Sequence, residues 1–150
     1  MRENLKRAKA VWDKYTQGPF GTLVYIALGF IIAVMLNAVL GFALHTDTPV
    51  VAVFSNSMVP TYMKGDLIFV QGVDHVNVGD IIVFESGVYR YPIIHRVVAV
   101  ENGVITTKGD NNISEDPWKT DISEVHGKAI LQIPFLGWVK VGVFELLGLA

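Results

Sequence analysis

The chain has no cysteine and almost no net charge. Without cysteine it can form no disulfide bond, no thiol nucleophile and no thiolate zinc site. A net charge of −2 gives no electrostatic support for binding nucleic acid. The paired-histidine helix motif that many metalloproteases use is also missing from the sequence. We therefore expect neither a nucleic-acid partner nor a metal or other cofactor.

Charged residues are absent from one long stretch, residues 21–44, which contains 24 residues. A helix of this length extends about 36 Å at ~1.5 Å per residue, enough to cross a hydrocarbon core of about 30 Å. A cleaved signal peptide would have a shorter apolar region, of roughly 7–15 residues. A buried helix of a soluble protein would need a larger domain around it. The pattern therefore predicts a retained transmembrane signal anchor.

The charges on the two sides of this anchor are asymmetric. Residues 1–20 carry five Lys or Arg and two acidic residues, whereas residues 45–150 carry seven and twelve. Positively charged flanks tend to stay on the cytoplasmic side of a membrane. We therefore expect a cytoplasmic N-terminus and a single-pass protein whose main domain lies outside the cell membrane, or across the endoplasmic-reticulum membrane if the source is eukaryotic.

Short runs rich in Val and Ile follow the anchor. The runs are "VVAVF", "DLIFVQGV", "DIIVF", "YPIIHRVVAV", "GVITTKG" and "HGKAILQI". Gly, Asp and Asn separate them, which is typical of a β domain with tight turns. Turns are predicted at Gly65 and Gly79, and the pair Asn102–Gly103 suits a hairpin. The predicted fold is mainly β, with one N-terminal membrane helix followed by a β-rich domain over residues 45–132.

Residues 133–150, "IPFLGWVKVGVFELLGLA", are apolar again. Lys140 and Glu145 are the charged residues of this segment. It is too short for a confident second span, but Phe135 and Trp138 are typical of a membrane interface. We predict an apolar membrane-associated segment that lies in the interface or dips into the membrane. A last core strand followed by an apolar tail is the alternative.

The polar stretch "VFSNSMVPTY" (53–62) contains a candidate nucleophile, Ser57. A serine hydroxyl reacts poorly until a base removes its proton. The candidate bases are Lys64, Lys108, His45, His75, His95 and His126. His95 stands out because Ile94 and Val97 place it in a buried strand, where a neutral imidazole can accept a proton. A structural histidine in the sheet is the alternative for this position.

A histidine base also needs a carboxylate that orients its imidazole. The polar loop 110–121 offers four candidates, Asp110, Glu115, Asp116 and Asp121. Their spacing does not match a calcium-binding loop, which needs acidic or amide residues at alternating positions. Composition alone leaves the choice among the four open.

Four blocks, in this order, resemble the type I signal peptidase family. "SNSMVPT" is similar to its nucleophile box, and "KGDLIFV" is similar to the box that follows. "GDIIVF" with "YPIIHRVVAV" resembles the block that carries the base, and "TTKGDNNISED" resembles the acidic block. Bacterial members have Lys where this chain has His95, so the resemblance is to the archaeal and endoplasmic-reticulum branch. The anchor and the apolar tail fit as well, so it covers nearly the whole chain.

The resemblance implies a role for each site residue. Ser57 would be the nucleophile, His95 the general base and Asp116 the carboxylate that orients it, while Asp110 matches a second acidic position that supports the site. The implied oxyanion hole consists of the Ser57 backbone N–H and the Ser55 hydroxyl. The family usually has Gly where this chain has Asn56, and Asn tolerates left-handed backbone geometry better than most residues.

The implied function is that of a membrane-bound serine endopeptidase. It would remove N-terminal signal peptides from secreted and membrane preproteins after small residues, at sites of the Ala-x-Ala type. Its expected partners are signal peptides and the lipid membrane. An archaeal source is expected, and accessory subunits would accompany an endoplasmic-reticulum homologue. Two alternatives remain: an inactive membrane-anchored β domain that binds partners, and a self-cleaving repressor-type protease that uses Lys108 as its base.

Overall fold

The structure, a computed structural model, describes residues 2–16, 18–89 and 91–148. Small parts of the predicted segments 1–20 and 133–150, namely residues 1, 17, 149 and 150, lie outside the described residues. The chain divides into two units, Met1–Val39 and Leu40–Ala150. The first unit consists of helix α1, Arg2–Thr16, and the larger part of helix α2, Gly18–Leu44.

Helix α2 contains the whole of the predicted anchor. It is 27 residues long, and its length and hydropathy would allow it to cross a membrane. Apolar side chains are exposed along its length, among them Leu23, Phe30 and Val39. Exposure of apolar side chains on all sides of a helix is unfavourable in water, and such a helix is typical of a segment surrounded by lipid.

The second unit contains a seven-stranded antiparallel sheet. Its strands are β1 (Val50–Ala52), β2 (Leu67–Gln71), β3 (Ile81–Phe84), β4 (Ile93–Glu101), β5 (Val104–Lys108), β6 (Thr120–Asp121) and β7 (Val125–Ile133). Their order across the sheet is β1-β2-β7-β3-β4-β5-β6. A short 3-10 helix, Ile122–Glu124, precedes β7, and helix α3, Trp138–Leu146, follows it.

These strands confirm the mainly β fold that the sequence predicts. Each of the six Val- and Ile-rich runs contains a strand. The predicted hairpin at Asn102–Gly103 joins β4 to β5, and both residues have positive φ, 52° and 82°. This is the geometry of the two-residue turn that an Asn-Gly pair favours. Strand β6 was not predicted, because only two residues of a polar loop form it.

Alternation along the strands divides the core between the two faces of the sheet. Val83 and its cross-strand partner Ile94 belong to one cluster, which also contains Met58 and Ile68. Ile82 and Phe84, the neighbours of Val83 along β3, belong to a second cluster, which also contains Val97 of β4 and Ile105 of β5. Successive side chains of a strand point to opposite faces. His95 pairs with Ile82 and therefore shares the face of the second cluster.

The apolar C-terminal segment contains helix α3 rather than a further strand, since β7 ends at Ile133. The Phe144 ring of α3 packs against Phe54 and Tyr91, with ring centroids 5.6 and 6.2 Å away. The alternative of a last core strand with an apolar tail is therefore wrong for residues 138–146. Association of this segment with a membrane remains a prediction.

Candidate active site

Ser57 lies in an irregular loop, residues 53–66, which joins β1 to β2 and is called the serine loop below. Met58, which is 1% exposed, and Tyr62 anchor this loop in the first core cluster. The Tyr62 N–H donates a hydrogen bond to the Met58 carbonyl over 2.9 Å. Asn56 does not have the left-handed backbone that the sequence suggested, since the described non-glycine residues with positive φ are His45, Asn102 and Phe135.

His95 lies between Ser57 and Asp116. Its Nε2 atom is 3.1 Å from Ser57 Oγ, and its Nδ1 atom is 2.6 Å from Asp116 Oδ2. His95 and Asp116 are buried, with 6% and 7% of their surface exposed, whereas Ser57 is half-buried. The structure thus brings together three of the residues that the sequence singled out, although they are far apart in the chain.

This arrangement suits proton transfer from the serine. The Asp116 carboxylate also accepts a hydrogen bond from the Thr107 hydroxyl, 2.6 Å away, so its position is held from two sides. A carboxylate can only accept from neutral His95, which places the ring proton on Nδ1. The lone pair of Nε2 then faces the Ser57 hydroxyl and can accept its proton.

Asp110 occupies a neighbouring position but faces Arg96 instead of the imidazole. Arg96 Nε lies 2.8 Å from Asp110 Oδ1, and a second guanidinium nitrogen lies 2.7 Å from Oδ2. The Thr61 hydroxyl donates to the same carboxylate. The Arg96 guanidinium, through this two-pronged contact, holds the pKa of the Asp110 carboxyl below its ordinary value. Asp110 therefore ties the loop 110–121, called the acidic loop below, to β4 and to the serine loop.

Ser55 is within hydrogen-bonding distance of the candidate nucleophile. Its Oγ atom lies 3.0 Å from Ser57 Oγ. The Ser57 backbone N–H donates to the same Ser55 oxygen over 3.5 Å, at the long limit of a hydrogen bond. Both predicted oxyanion donors therefore lie on the same side of the loop as the Ser57 hydroxyl.

The other candidate bases have different surroundings. The Lys64 ammonium pairs with Glu145 of α3. His45 and His75 are exposed, and the ring of His126 on β7 is 3.4 Å from the Glu85 carboxylate. Lys108 lies at the end of β5, opposite Arg96. The contact with Ser57 comes from His95.

The other candidate carboxylates, Asp121 and Glu115, do not contact the His95 imidazole. Asp121 caps the 3-10 helix by accepting hydrogen bonds from Ser123. These bonds lower the pKa of Asp121, the backbone N–H of Ser123 first among them. Glu115 is exposed. Of the four acidic candidates, Asp116 is the one that contacts His95.

A cleft of about 450 Å³ opens beside Ser57 and His95. Its lining is largely apolar and includes Val53, Phe54 and Ile93. Tyr89 and Trp118 pack edge to face, with ring centroids 5.6 Å apart, and both belong to the lining. A cleft of this size has room for an extended peptide segment whose backbone lies next to Ser57.

Several residues of the site were not predicted from the sequence. They are Thr61, Arg96, Thr107, Gly109 and Asn111. Arg96 directly follows His95 in the chain, and Asn111 directly follows Asp110, so proximity to a predicted residue was the available signal. Gly109 is a close-approach glycine: a β-carbon there would lie 2.7 Å from the Ser57 carbonyl oxygen and 2.9 Å from His95 Nε2.

Comparison with known proteins shows the family to which this chain belongs. The profile of the family described as "Signal peptidase, peptidase S26" matches residues 23–125. The signal peptidase complex catalytic subunit SEC11 of Candida albicans (strain WO-1) is 32% identical over 154 residues, covering 87% of this chain and 91% of that relative. SEC11 of Pyricularia oryzae is 31% identical over 140 residues, covering 82% and 80%. The profile covers more than half of the chain and these relatives more than four fifths of it, so this chain belongs to the signal peptidase family, in the branch that contains the SEC11 catalytic subunits.

Proposed function

We propose that this protein is a membrane-anchored serine endopeptidase that removes N-terminal signal peptides from secreted and membrane preproteins. The observation that carries the proposal is the chain of contacts from Ser57 Oγ to His95 Nε2, over 3.1 Å, and from His95 Nδ1 to Asp116, over 2.6 Å. A nucleophile, a base and an orienting carboxylate in this geometry are what acyl transfer by serine requires. The names of the relatives support the same reaction.

In the proposed mechanism Ser57 Oγ attacks the carbonyl carbon of the scissile peptide bond while its proton moves to His95 Nε2. The resulting imidazolium, stabilised by Asp116, then gives this proton to the leaving amine. An ester between Ser57 and the signal peptide remains. His95 takes a proton from water as the water oxygen attacks the ester. The imidazolium then gives this proton to Ser57 Oγ as the ester bond breaks, which restores the serine and releases the signal peptide with a free carboxylate.

Negative charge on the substrate carbonyl oxygen needs hydrogen-bond donors during both attacks. The Ser57 backbone N–H and the Ser55 hydroxyl are the proposed donors. The Ser57 N–H makes a long contact of 3.5 Å with the Ser55 oxygen, and the Ser55 hydroxyl, 3.0 Å from Ser57 Oγ, can rotate towards the substrate. Loss of one such donor costs about 10²–10³ in kcat in well-studied serine proteases.

Cleavage after small residues, at sites of the Ala-x-Ala type, is part of the proposal. The aromatic side chains of Phe54, Tyr89 and Trp118 line the cleft beside Ser57 and would contact the side chains of the bound peptide. The aromatic wall continues onto α3, because Phe144 packs against Phe54.

The membrane topology follows from the charges beside the anchor. Residues 1–20 are proposed to lie in the cytoplasm and the catalytic domain on the other side, because basic flanks stay cytoplasmic. Ser57 comes 13 positions after Leu44, the last residue of α2. Even a fully extended chain of that length spans at most about 45 Å at ~3.3–3.6 Å per residue. The nucleophile is therefore near the membrane surface, where a preprotein's cleavage site emerges.

The segment 133–150 is proposed to touch the same membrane interface. The side chains of this segment include Phe135, Val139 and Leu146, which are 67%, 75% and 86% exposed. Exposed apolar surface of this kind is unfavourable in water and marks a site of contact with a partner or a membrane. Lysine at both Val139 and Leu146 should lower cleavage of a preprotein in vesicles and leave cleavage of a short soluble peptide unchanged. An equal effect on the two substrates would contradict this placement.

The source and the accessory subunits are part of the proposal as well. The relatives described above are fungal, and they do not support the expected archaeal source, which stays a prediction. Their names describe a catalytic subunit of a signal peptidase complex. We propose that this chain can likewise work with accessory subunits.

The proposal is tested by incubating the purified, detergent-solubilised protein with a preprotein that has an Ala-x-Ala site and sequencing the product's N-terminus. Cleavage after the second Ala is the expected result. The matched control is the same preprotein with Trp at that second Ala, which should not be cleaved. Binding of the parent preprotein without turnover would instead favour the alternative of an inactive, partner-binding β domain.

Alanine at Gly109 should lower kcat at least about 100-fold. The added β-carbon would lie within 3 Å of both the Ser57 carbonyl and His95 Nε2, so the serine and its base must move apart. A displacement of about 1 Å can cost about 10²-fold in rate. The matched control is Gly87→Ala, at an exposed turn where the added β-carbon would meet no atom within 4 Å beyond the adjoining residues, although its positive φ costs some stability. A kcat for Gly109→Ala within a few-fold of the parent value would contradict the close approach.

A further inference from the structure

Two neighbouring residues of the acidic loop hold the serine loop. Asp110 does so through the Thr61 hydroxyl, and Asn111, which is part of neither the nucleophile nor its base, does so through the Ser57 and Asn56 carbonyls. The Asn111 backbone N–H donates to the Ser57 carbonyl over 2.8 Å. Its side-chain amide donates to the Asn56 carbonyl over 3.2 Å. Asn111 therefore holds the carbonyl groups on both sides of the Ser57 α-carbon.

The hydrogen bond from the Asn111 side chain to the Asn56 carbonyl restricts the direction of the Ser57 N–H. The Asn56 carbonyl and the Ser57 N–H belong to one peptide unit, and in a planar trans peptide they point in opposite directions. A donor that holds the carbonyl therefore fixes the line along which the N–H points. It also polarises the peptide, which makes the N–H a stronger donor.

Asn111 is itself held from the side of the base. The preceding residue, Asp110, is bound by Arg96, and Arg96 is the neighbour of His95 on β4. The Asn112 N–H donates to the Gly109 carbonyl over 2.9 Å and closes the turn around Asn111. Within the serine loop the Asn56 carbonyl has a second donor, the Val59 N–H at 3.3 Å. The side-chain amide of Asn111 thus connects the Asn56–Ser57 peptide to β4, the strand that carries His95.

We propose that Asn111 is a positioning residue that aims the Ser57 N–H at the oxyanion of the substrate. This inference rests on the proposed serine peptidase function. Asn111 acts through the Asn56–Ser57 peptide and does not touch the substrate. Its side chain therefore contributes when charge develops on the carbonyl oxygen, and little to binding of the uncharged peptide.

The test compares Asn111→Ala with the parent on a peptide substrate that contains an Ala-x-Ala site. Alanine keeps the backbone N–H and removes the side-chain donor. We expect kcat to fall about 10–100-fold while KM stays within about two-fold, since the lost interaction belongs to the transition state. Affinity for a peptide aldehyde, whose adduct with Ser57 carries an oxyanion, should fall by a similar factor. Asn77→Ala, at an exposed turn outside the site, is the matched control.

The outcomes separate this inference from the proposed function. A parent protein that cleaves nothing in a Ser57-dependent manner contradicts the function itself. A parent that cleaves, with Asn111→Ala equal to it in kcat and in aldehyde affinity, overturns the positioning role alone. A rise in KM with unchanged kcat also overturns it, because it would make Asn111 a binding residue. If the alanine variant does not fold, Asn111→Asp, which keeps the side-chain volume and lacks the amide donor, must show the same fall in kcat.

Discussion

Alanine at Ser57 is expected to lower cleavage of a preprotein by at least about 10⁴-fold, to the level of a reaction without enzyme-bound nucleophile. The hydroxyl is the group that faces His95 Nε2, and a methyl group cannot form the ester intermediate. Stability should change little, since the side chain is half-buried and its contacts are with His95 and Ser55. The measurement is the single-turnover rate on the Ala-x-Ala preprotein, with thermal unfolding recorded on the same samples.

Two further variants make this result specific. Ser55→Ala should retain nucleophilic cleavage with kcat lowered about 10²–10³-fold, as expected for an oxyanion donor. Ser114→Ala, in the exposed part of the acidic loop, should behave as the parent does. Equal cleavage by the parent and by Ser57→Ala would point to a contaminating host peptidase or to a different nucleophile, and Lys108→Ala would then test the repressor-type alternative.

The secondary structure was largely readable from the sequence because its signals are local. The Val- and Ile-rich runs form strands, since β-branched side chains suit a pleated, half-buried surface. The Asn102–Gly103 hairpin follows from two residues that accept positive φ. The flanking Ile94 and Val97 correctly indicated that His95 is buried. The C-terminal helix could not be told from a strand, because a short apolar run has no decisive period.

The second layer of the site was beyond local signals, and Thr107 shows why. A regular hairpin around Asn102–Gly103 would pair Thr107 with Val98, on the face of the sheet opposite His95. A bulge between Val97 and Ala99 shifts the register so that Thr107 pairs with Val97 instead. A shift of one residue moves a side chain to the other face. The Thr107 hydroxyl can therefore donate a hydrogen bond to Asp116. No residue in the sequence around Val98 predicts the bulge.

The choice between the two carboxylates was also tertiary. Asp110 and Asp116 lie in one polar loop without periodicity, so their distances from the imidazole depend on how the loop folds over β4. Arg96, bound to Asp110, takes that carboxylate away from the ring, which leaves Asp116 beside Nδ1. The resemblance to a family, not the residue pattern, had pointed to Asp116.

Asparagine at Asp116 is expected to lower kcat about 10³–10⁴-fold. The Asp116 carboxylate can only accept from His95, so it keeps the ring proton on Nδ1 and the Nε2 lone pair towards Ser57. An asparagine amide can turn its NH₂ to Nδ1, which favours the tautomer with the proton on Nε2 and removes the acceptor that Ser57 needs. The effect is measured by single-turnover kinetics. Peptide binding to the double variant Asp116→Asn, Ser57→Ala checks that the cleft is intact.

Asp110→Asn is the matched control, because it makes the same chemical change at the neighbouring carboxylate, which pairs with Arg96 and not with His95. Its kcat should fall about ten-fold or less, and its main effect should be on stability, since Arg96 loses its two-pronged partner. The folded-state pKa of Asp110 lies below the unfolded value, so its contribution is complete at neutral pH and is lost as pH falls through the folded pKa, below about 3.9. Unfolding curves of parent and variant should therefore differ at pH 7 and converge in acid. If Asp110→Asn lost as much kcat as Asp116→Asn, the roles assigned to the two carboxylates would be wrong.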